Sequence, residues 1–331
     1  MSCFAQVQAT NVRADVEWIA QPMHILQSVT PMASPSGYSP SQIKTAYGLP
    51  STGGEGTTIA IIDAYNTPSL TGDLATFSNQ FNLPQANLVV HKMSTNLATN
   101  AGWGMETCLD VEWAHAIAPY ATILLVEAKS AASNDLIPAI QYATSQSGVV
   151  AVSMSWGTAE FQSESSYDSL FTSSHGAVFF ASSGDTGSGV NWPACSSNVV
   201  AVGGTTLTLS ADETVLSETA WSNSSGGIST YEPAPSYQTS YGLNYSGRAV
   251  PDVSYDANPS TGVSVCYNSN WYVCGGTSVG APQWAAIYAL AQAATHTNLY
   301  FDAKYAYSSY FRDITSGSNA NYNAGPGYDL V

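Results

Sequence analysis

Three groups of residues carry types and spacings that could do chemistry. The first is Cys274-Gly275-Gly276-Thr277-Ser278-Val279-Gly280-Ala281-Pro282, where a strand-like run, Trp271-Tyr272-Val273-Cys274, meets two glycines and an Ala-rich helical pattern follows. The pattern predicts a helix beginning near Ser278, so the hydroxyl stands among unpaired backbone N–H groups at the positive end of the helix dipole. That setting suits a nucleophile that generates an oxyanion beside itself. Ser278 or Thr277 would serve equally well there as an ordinary helix N-cap, and the stretch alone leaves both open.

The second group is Glu106-Thr107-Cys108-Leu109-Asp110 on a helix predicted from about Gly104 to Ala118. Residues four apart on a helix share a face, so the two carboxyls can share a hydrogen bond. When both are charged they repel, and the pair relieves this by holding one proton between them. Acidic pairs with this spacing also occur on exposed faces, but Leu109, Val111, Trp113, Ala114 and Ala116 predict a largely buried helix. The third group is Asp185, in the Gly-rich turn Ser182-Ser183-Gly184-Asp185-Thr186-Gly187. A protonated carboxyl there could donate to a developing oxyanion; an Asx-turn is the plainer alternative. A serine nucleophile needs a base matched to the working pH, and at about pH 4 a carboxylate still accepts a proton where histidine no longer does. His115 lies five residues beyond Asp110, facing away from it, and reads as structural.

The elements that must position these groups alternate. Strands are predicted at 58–64, 88–90, 122–126, 149–155 and 177–181, separated by helices at 69–81, 104–118, 133–145 and 164–175. That order implies an α/β fold with a mainly parallel central sheet and helices on both faces. Its strands end in Asp63-Ala64-Tyr65, Ser155-Trp156-Gly157 and the Asp185 turn, and chemistry in such sheets sits at the carboxyl ends. One domain is expected from 37 to 331. Residues 1–36 are weakly patterned, end in Pro31-Met32-Ala33-Ser34-Pro35-Ser36, and read as a linker. A hairpin turning at Asn268–Asn270 would bring Cys266 and Cys274 within reach of a cross-strand disulfide; Cys3, Cys108 and Cys195 show no zinc-type spacing.

Composition narrows the setting. Only 9% of residues are charged, and 23 Asp and Glu stand against 7 Lys and Arg, a formal charge of -16. Nucleic acid and anionic membranes are poor partners for such a surface. Near pH 4 about 12 negative charges would face about as many positive ones, since roughly half the carboxyls would be protonated. An acid-exposed, extracellular life follows as an expectation. No apolar run is long enough to span a membrane, and Met1–Ala20 lacks the apolar core of a secretory leader.

Taken together, Glu106-x-x-x-Asp110, Ser182-Ser183-Gly184-Asp185 and Gly275-Gly276-Thr277-Ser278-x-x-x-Pro282 resemble the sedolisin family of serine-carboxyl peptidases, whose fold is subtilisin-like. The resemblance runs from about Gly37 to the end of the chain. It implies an acid-acting endopeptidase, secreted and made as a zymogen, monomeric, acting on protein or peptide substrates. Ser278 would be the nucleophile, Glu106 the general base, Asp110 its orienting partner and Asp185 the oxyanion-hole acid; Asp63 and Trp156 resemble positions that extend the network around the carboxyl pair. It also implies one calcium ion, held by Asp313, the Ile314, Gly325 and Gly327 carbonyls, and Asp329, a donor set of the kind a hard cation prefers. Residues 1–36 would then be a propeptide remnant, and the chain stops at Val331 where relatives usually continue, so its C-terminus reads as truncated. A tripeptide-releasing exopeptidase and a catalytically silent peptide-binding relative are the competing expectations.

Overall fold

The computed structural model describes residues 17–291 and 295–331. Its central sheet has eight strands, in the order Val215–Ala220, Val199–Leu209, Val178–Ser182, Val149–Met154, Thr58–Ala64, Thr122–Ala128 and Asn87–Lys92, with Val253–Asp256 also pairing with Val199–Leu209. Every pairing is parallel except that of the edge strand Val215–Ala220. Side chains alternate across the sheet. Ile59 and Ile61 therefore pack under the helices Leu70–Gln80, Ala101–Ile117 and Gly280–Ala291, while Ala60 and Ile62 face Ser133–Ser145 and Glu164–Phe171. The expected α/β class with helices on both faces is the one found.

Three local differences from the sequence pattern are seen in these elements. The helix carrying the acidic pair starts three residues earlier than its apolar pattern suggests, because the Asn100 side chain accepts from the Trp103 N–H and caps it. Glu164–Phe171 is a 3-10 segment rather than an α-helix to His175. Its serines are weak helix formers that bond locally to the backbone, as Ser166 does to the Ser163 carbonyl. Ser278 is not a helix cap: Thr277–Val279 is a 3-10 turn without a side-chain cap bond, and the helix follows at Gly280–Ala291.

The cysteine expectation is corrected. The hairpin forms and turns through Asn268 and Ser269, both with positive φ, but its register sets Cys266 opposite Trp271 and Cys274 opposite Val263. The two thiols are therefore not cross-strand partners. Cys108, Cys195, Cys266 and Cys274 are all free and buried, and Cys3 lies outside the described residues.

Candidate active site

Three adjacent parallel strands deliver the site. Asp63 lies within the last turn of the pleat of Thr58–Ala64, Ser155 follows Val149–Met154, and the Asp185 loop follows Val178–Ser182. Helix Ala101–Ile117 crosses beneath them with Glu106 and Asp110 buried. Asp110 Oδ1 accepts the Ser155 hydroxyl at 2.7 Å. Burial, and then the charges of Asp63 and Glu106, push Asp110 well above the usual carboxyl range; Asp63 is raised by burial and Glu106 against a bond from Thr107. Three carboxyls thus share one dry space, which holds fewer than three negative charges. Trp156 contributes differently from an acid: its indole N–H donates to the Ile62 carbonyl at 2.8 Å, and its ring packs with Trp18 and Trp192.

Asp185 and Ser278 meet at the next strand end. The Thr277 N–H and hydroxyl both donate to Asp185 Oδ1, each at 2.8 Å, while Oδ2 is buried without a partner. Burial raises this carboxyl to about 7, against the two Thr277 bonds. It is therefore protonated through the acid range. Ser278 is fully buried; its hydroxyl donates to the Ser155 carbonyl at 3.3 Å.

The sequence gives no hint of what fills the groove. Gln21–Pro22 pairs antiparallel with Trp156–Gly157, and Ile25–Leu26 pairs antiparallel with Cys274–Gly275. Between them the Met23 N–H donates to the Ser155 carbonyl and the Met23 carbonyl accepts the Ser278 N–H, both at 3.0 Å. His24 Nδ1 lies 2.7 Å from Glu106 Oε2. Burial draws the His24 imidazole down, but the charge and hydrogen bond of Glu106, helped by Asp185, leave it above its ordinary value. Gly276, at φ 100°, is required here: a Cβ on it would come within 2.5 Å of both the Met23 carbonyl oxygen and Asp185 Oδ2. The unpartnered oxygen of Asp185 and the Met23 carbonyl oxygen therefore face the same small space.

Elsewhere, His115 is buried, lowered to about 4 by burial, and its Nε2 bonds the Pro84 carbonyl at 3.0 Å, away from the acids. Asp313 and Asp329 are brought into one electrostatic neighbourhood by the Gly325–Gly327 loop, whose N–H groups donate to Asp329 at 3.0 Å and to Asp313 at 3.2 Å. A second acidic cluster, Glu160, Glu164 and Cys195, gathers ligand-type atoms within 4.8 Å of one another.

The Subtilase family sequence pattern matches residues 54–304. The chain belongs to the subtilase family. Within that family its likeness is to the sedolisins, as the motifs lead one to expect. It is similar to Sedolisin from Pseudomonas sp. (strain 101), 28% identical over 342 residues, covering 88% of this chain and 58% of that protein. It is also similar to Kumamolisin from Bacillus sp. (strain MN-32), 32% identical over 343 residues, covering 90% of this chain and 61% of that protein. The subtilase chain described here thus spans about three fifths of the length of these relatives. The solved structure of Pseudomonas sedolisin, a serine-carboxyl proteinase complexed with two molecules of pseudo-iodotyrostatin, superposes with a TM-score of 0.81 at 27% identity, covering 90% of this chain and 94% of that one. Sphericase, at 20% identity and a TM-score of 0.59, shares the fold alone.

Proposed function

We propose that this subtilase is an acid-acting serine-carboxyl endopeptidase, secreted and working as a monomer on protein or peptide substrates. Ser278 attacks the peptide carbonyl while Glu106 accepts its proton, held in orientation by Asp110 through their shared proton. The Ser278 N–H and a protonated Asp185 donate to the oxyanion. Glu106 then gives the proton to the leaving amine, and water hydrolyses the acyl-enzyme. The observation that carries this reading is the Met23 carbonyl. It accepts the Ser278 N–H at 3.0 Å and lies beside the unpartnered Asp185 oxygen, where a substrate carbonyl needs its two donors.

The groove favours an endopeptidase over a tripeptide-releasing enzyme. Peptide on the acyl side continues well past three residues: Ala20 donates to the Ala131 carbonyl and the Trp18 carbonyl accepts the Ser133 N–H, each at 2.9 Å. Extended chain bonded this far beyond the third residue supports the endopeptidase reading. Asp313 and Asp329, with carbonyls of Ile314, Gly325 and Gly327 on the same segments, are the donors we assign to one calcium ion, which would tie the C-terminal loop down without entering the chemistry. Hydrolysis of casein across pH 2–8 tests the reading, with Ser278→Ala and Glu106→Gln alongside. Cleavage peaking below pH 6 and lost in both variants is expected; cleavage that survives Glu106→Gln at full rate would refute the triad.

A further inference from the structure

We infer that Glu160, Glu164 and Cys195 bind one divalent cation of the zinc class, with Glu232 as a buried outer charge, at a site separate from both Ser278 and the Asp313–Asp329 loop. Glu160 directly follows the strand Trp156–Ala159, Glu164 opens the 3-10 segment Glu164–Phe171, and Cys195 lies in the turn after Asn191–Trp192. Antiparallel pairing of the two strands brings the thiol to the acids. The three ligand atoms lie within 4.8 Å of one another, and Cys195 Sγ stands 3.3 Å from Glu164 Oε1. A tetrahedral zinc ion, bonded at about 2.3 Å to sulfur and about 2.0–2.2 Å to oxygen, sets those two ligands roughly 3.5 Å apart. The sulfur–oxygen span is therefore close to that of two ligands on one ion.

The carboxylates are also held as metal ligands are held. The Phe161 N–H donates to Glu164 Oε2 at 2.8 Å, the Ser229 hydroxyl donates to Glu160 Oε1, and the Thr230 N–H donates to Glu160 Oε2 at 3.4 Å. Outer donors of this kind fix a ligand's orientation and leave its remaining lone pairs to the ion. An independent sign of a ligand comes from Glu232, which is 1% exposed. Neither of its carboxyl oxygens receives an N–H or a hydroxyl, and the groups it faces are further acids, Asp168, Glu164 and Glu160. Cys195 stands in the field of Glu164, Glu160 and Glu232. None of the ion pairs among the described residues includes Glu160, Glu164 or Glu232, and Arg248, whose charge reaches Asp168, is itself paired with Asp252. Acids buried against one another call for a positive charge, and a dication supplies it.

The donor set selects the ion. Calcium and magnesium take oxygen ligands in larger number, whereas a thiolate with two carboxylates suits zinc. On binding, the Cys195 S–H proton passes to solvent as the sulfur–metal bond replaces the hydrogen bond to Glu164. Three protein ligands leave the fourth position to water. Glu160 is the partly exposed member and marks the way in. The bound ion would join the end of Trp156–Ala159 to the turn after Asn191–Trp192, bracing that pair of strands from behind.

The test uses the full chain carrying Ser278→Ala, in calcium-containing buffer at pH 7.5 so that the Asp313–Asp329 loop does not contribute, titrated with Co2+ and then with Zn2+. Expected is near-ultraviolet thiolate-to-cobalt absorption that saturates at one ion per chain and is displaced by Zn2+, with a rise in Tm on adding zinc. Cys195→Ser should abolish the absorption and Cys108→Ser should keep it. Glu164→Gln and Glu232→Gln should each weaken zinc binding about tenfold or more, read by competition with a chromophoric chelator. Far-ultraviolet circular dichroism checks that each variant is folded, and Glu232→Gln, which removes no ligand, keeps the test decisive where Cys195→Ser does not fold. Absence of thiolate-to-cobalt absorption in the folded chain, its survival in Cys195→Ser, or zinc affinity unchanged in Glu164→Gln overturns the inference. None of these readouts uses peptidase activity, so the proposed function stands or falls separately.

Discussion

Asp185→Asn separates the electrostatics of this site from its shape. The amide keeps an acceptor for the two Thr277 donors and puts a permanent N–H where the protonated carboxyl has its O–H. Burial raises the Asp185 carboxyl from 3.8 to about 7. A raised folded-state value means that the folded protein binds this proton more tightly than the unfolded chain. The associated stability is fully present below about pH 4 and is lost as the pH rises through about 7. At about 1.4 kcal/mol per pH unit, charging this one group removes on the order of 4 kcal/mol, a large share of the stability of an ordinary domain. The assay is urea denaturation followed by tryptophan fluorescence at pH 4 and pH 8, in a Ser278→Ala background that prevents self-digestion. Equal midpoints at pH 4, and a higher midpoint for the Asn variant at pH 8, are expected. Parallel losses between pH 4 and pH 8 in the two proteins would refute the assignment of this carboxyl as a buried, protonated donor.

Three further outcomes follow from other sites. Glu164 is raised to about 8 by burial and then by Glu160, so Glu164→Gln should remove a destabilisation that sets in between pH 5 and 8; thermal melts at pH 5 and 8 will show whether the gap closes. Chelation with EDTA should lower Tm by several degrees, and Asp329→Ala should lower it similarly while abolishing the response to added calcium, as expected when a bound ion is linked to folding. Dithiothreitol should leave the melting curve unchanged, and the four buried thiols should react with a thiol reagent only after unfolding, because Cys266 and Cys274 are not joined.

The motifs were legible because each is local: a glycine pair before a serine, two acids one helical turn apart, an acid in a Gly-rich turn. Their spacing survives folding unchanged, and a parallel sheet brings strand ends together whatever the details between them. What stayed hidden depends on pairing between distant segments. His24 and Met23 sit in a stretch with no periodicity, and nothing in Gln21-Pro22-Met23-His24 shows that it will add a strand to residues more than a hundred positions away. Cys266 and Cys274 misled for the complementary reason: both lie on the predicted hairpin, but which residues oppose each other is set by the turn, and a shift in register separates them.

Composition, by contrast, described the interior as well as the surface. With only 7 Lys and Arg for 23 Asp and Glu, most buried carboxyls cannot find a cation. Asp252 is the clearest of the few described exceptions, which include Glu127 beside Lys92 and Glu218 beside Arg312. Burial works against its charge, but Arg248 and then His296 hold it well below the usual range, so it stays ionised in acid. Asp63, Asp110, Glu112 and Asp256 have no such partner, and burial pushes all four well above that range. A fold that buries carboxyls against one another is most stable where they are protonated. That is also the range in which Asp185 can donate and the Glu106–Asp110 pair can hold a single proton. Stability and the proposed chemistry therefore call for the same acid, and raising the pH should weaken both through the same buried groups.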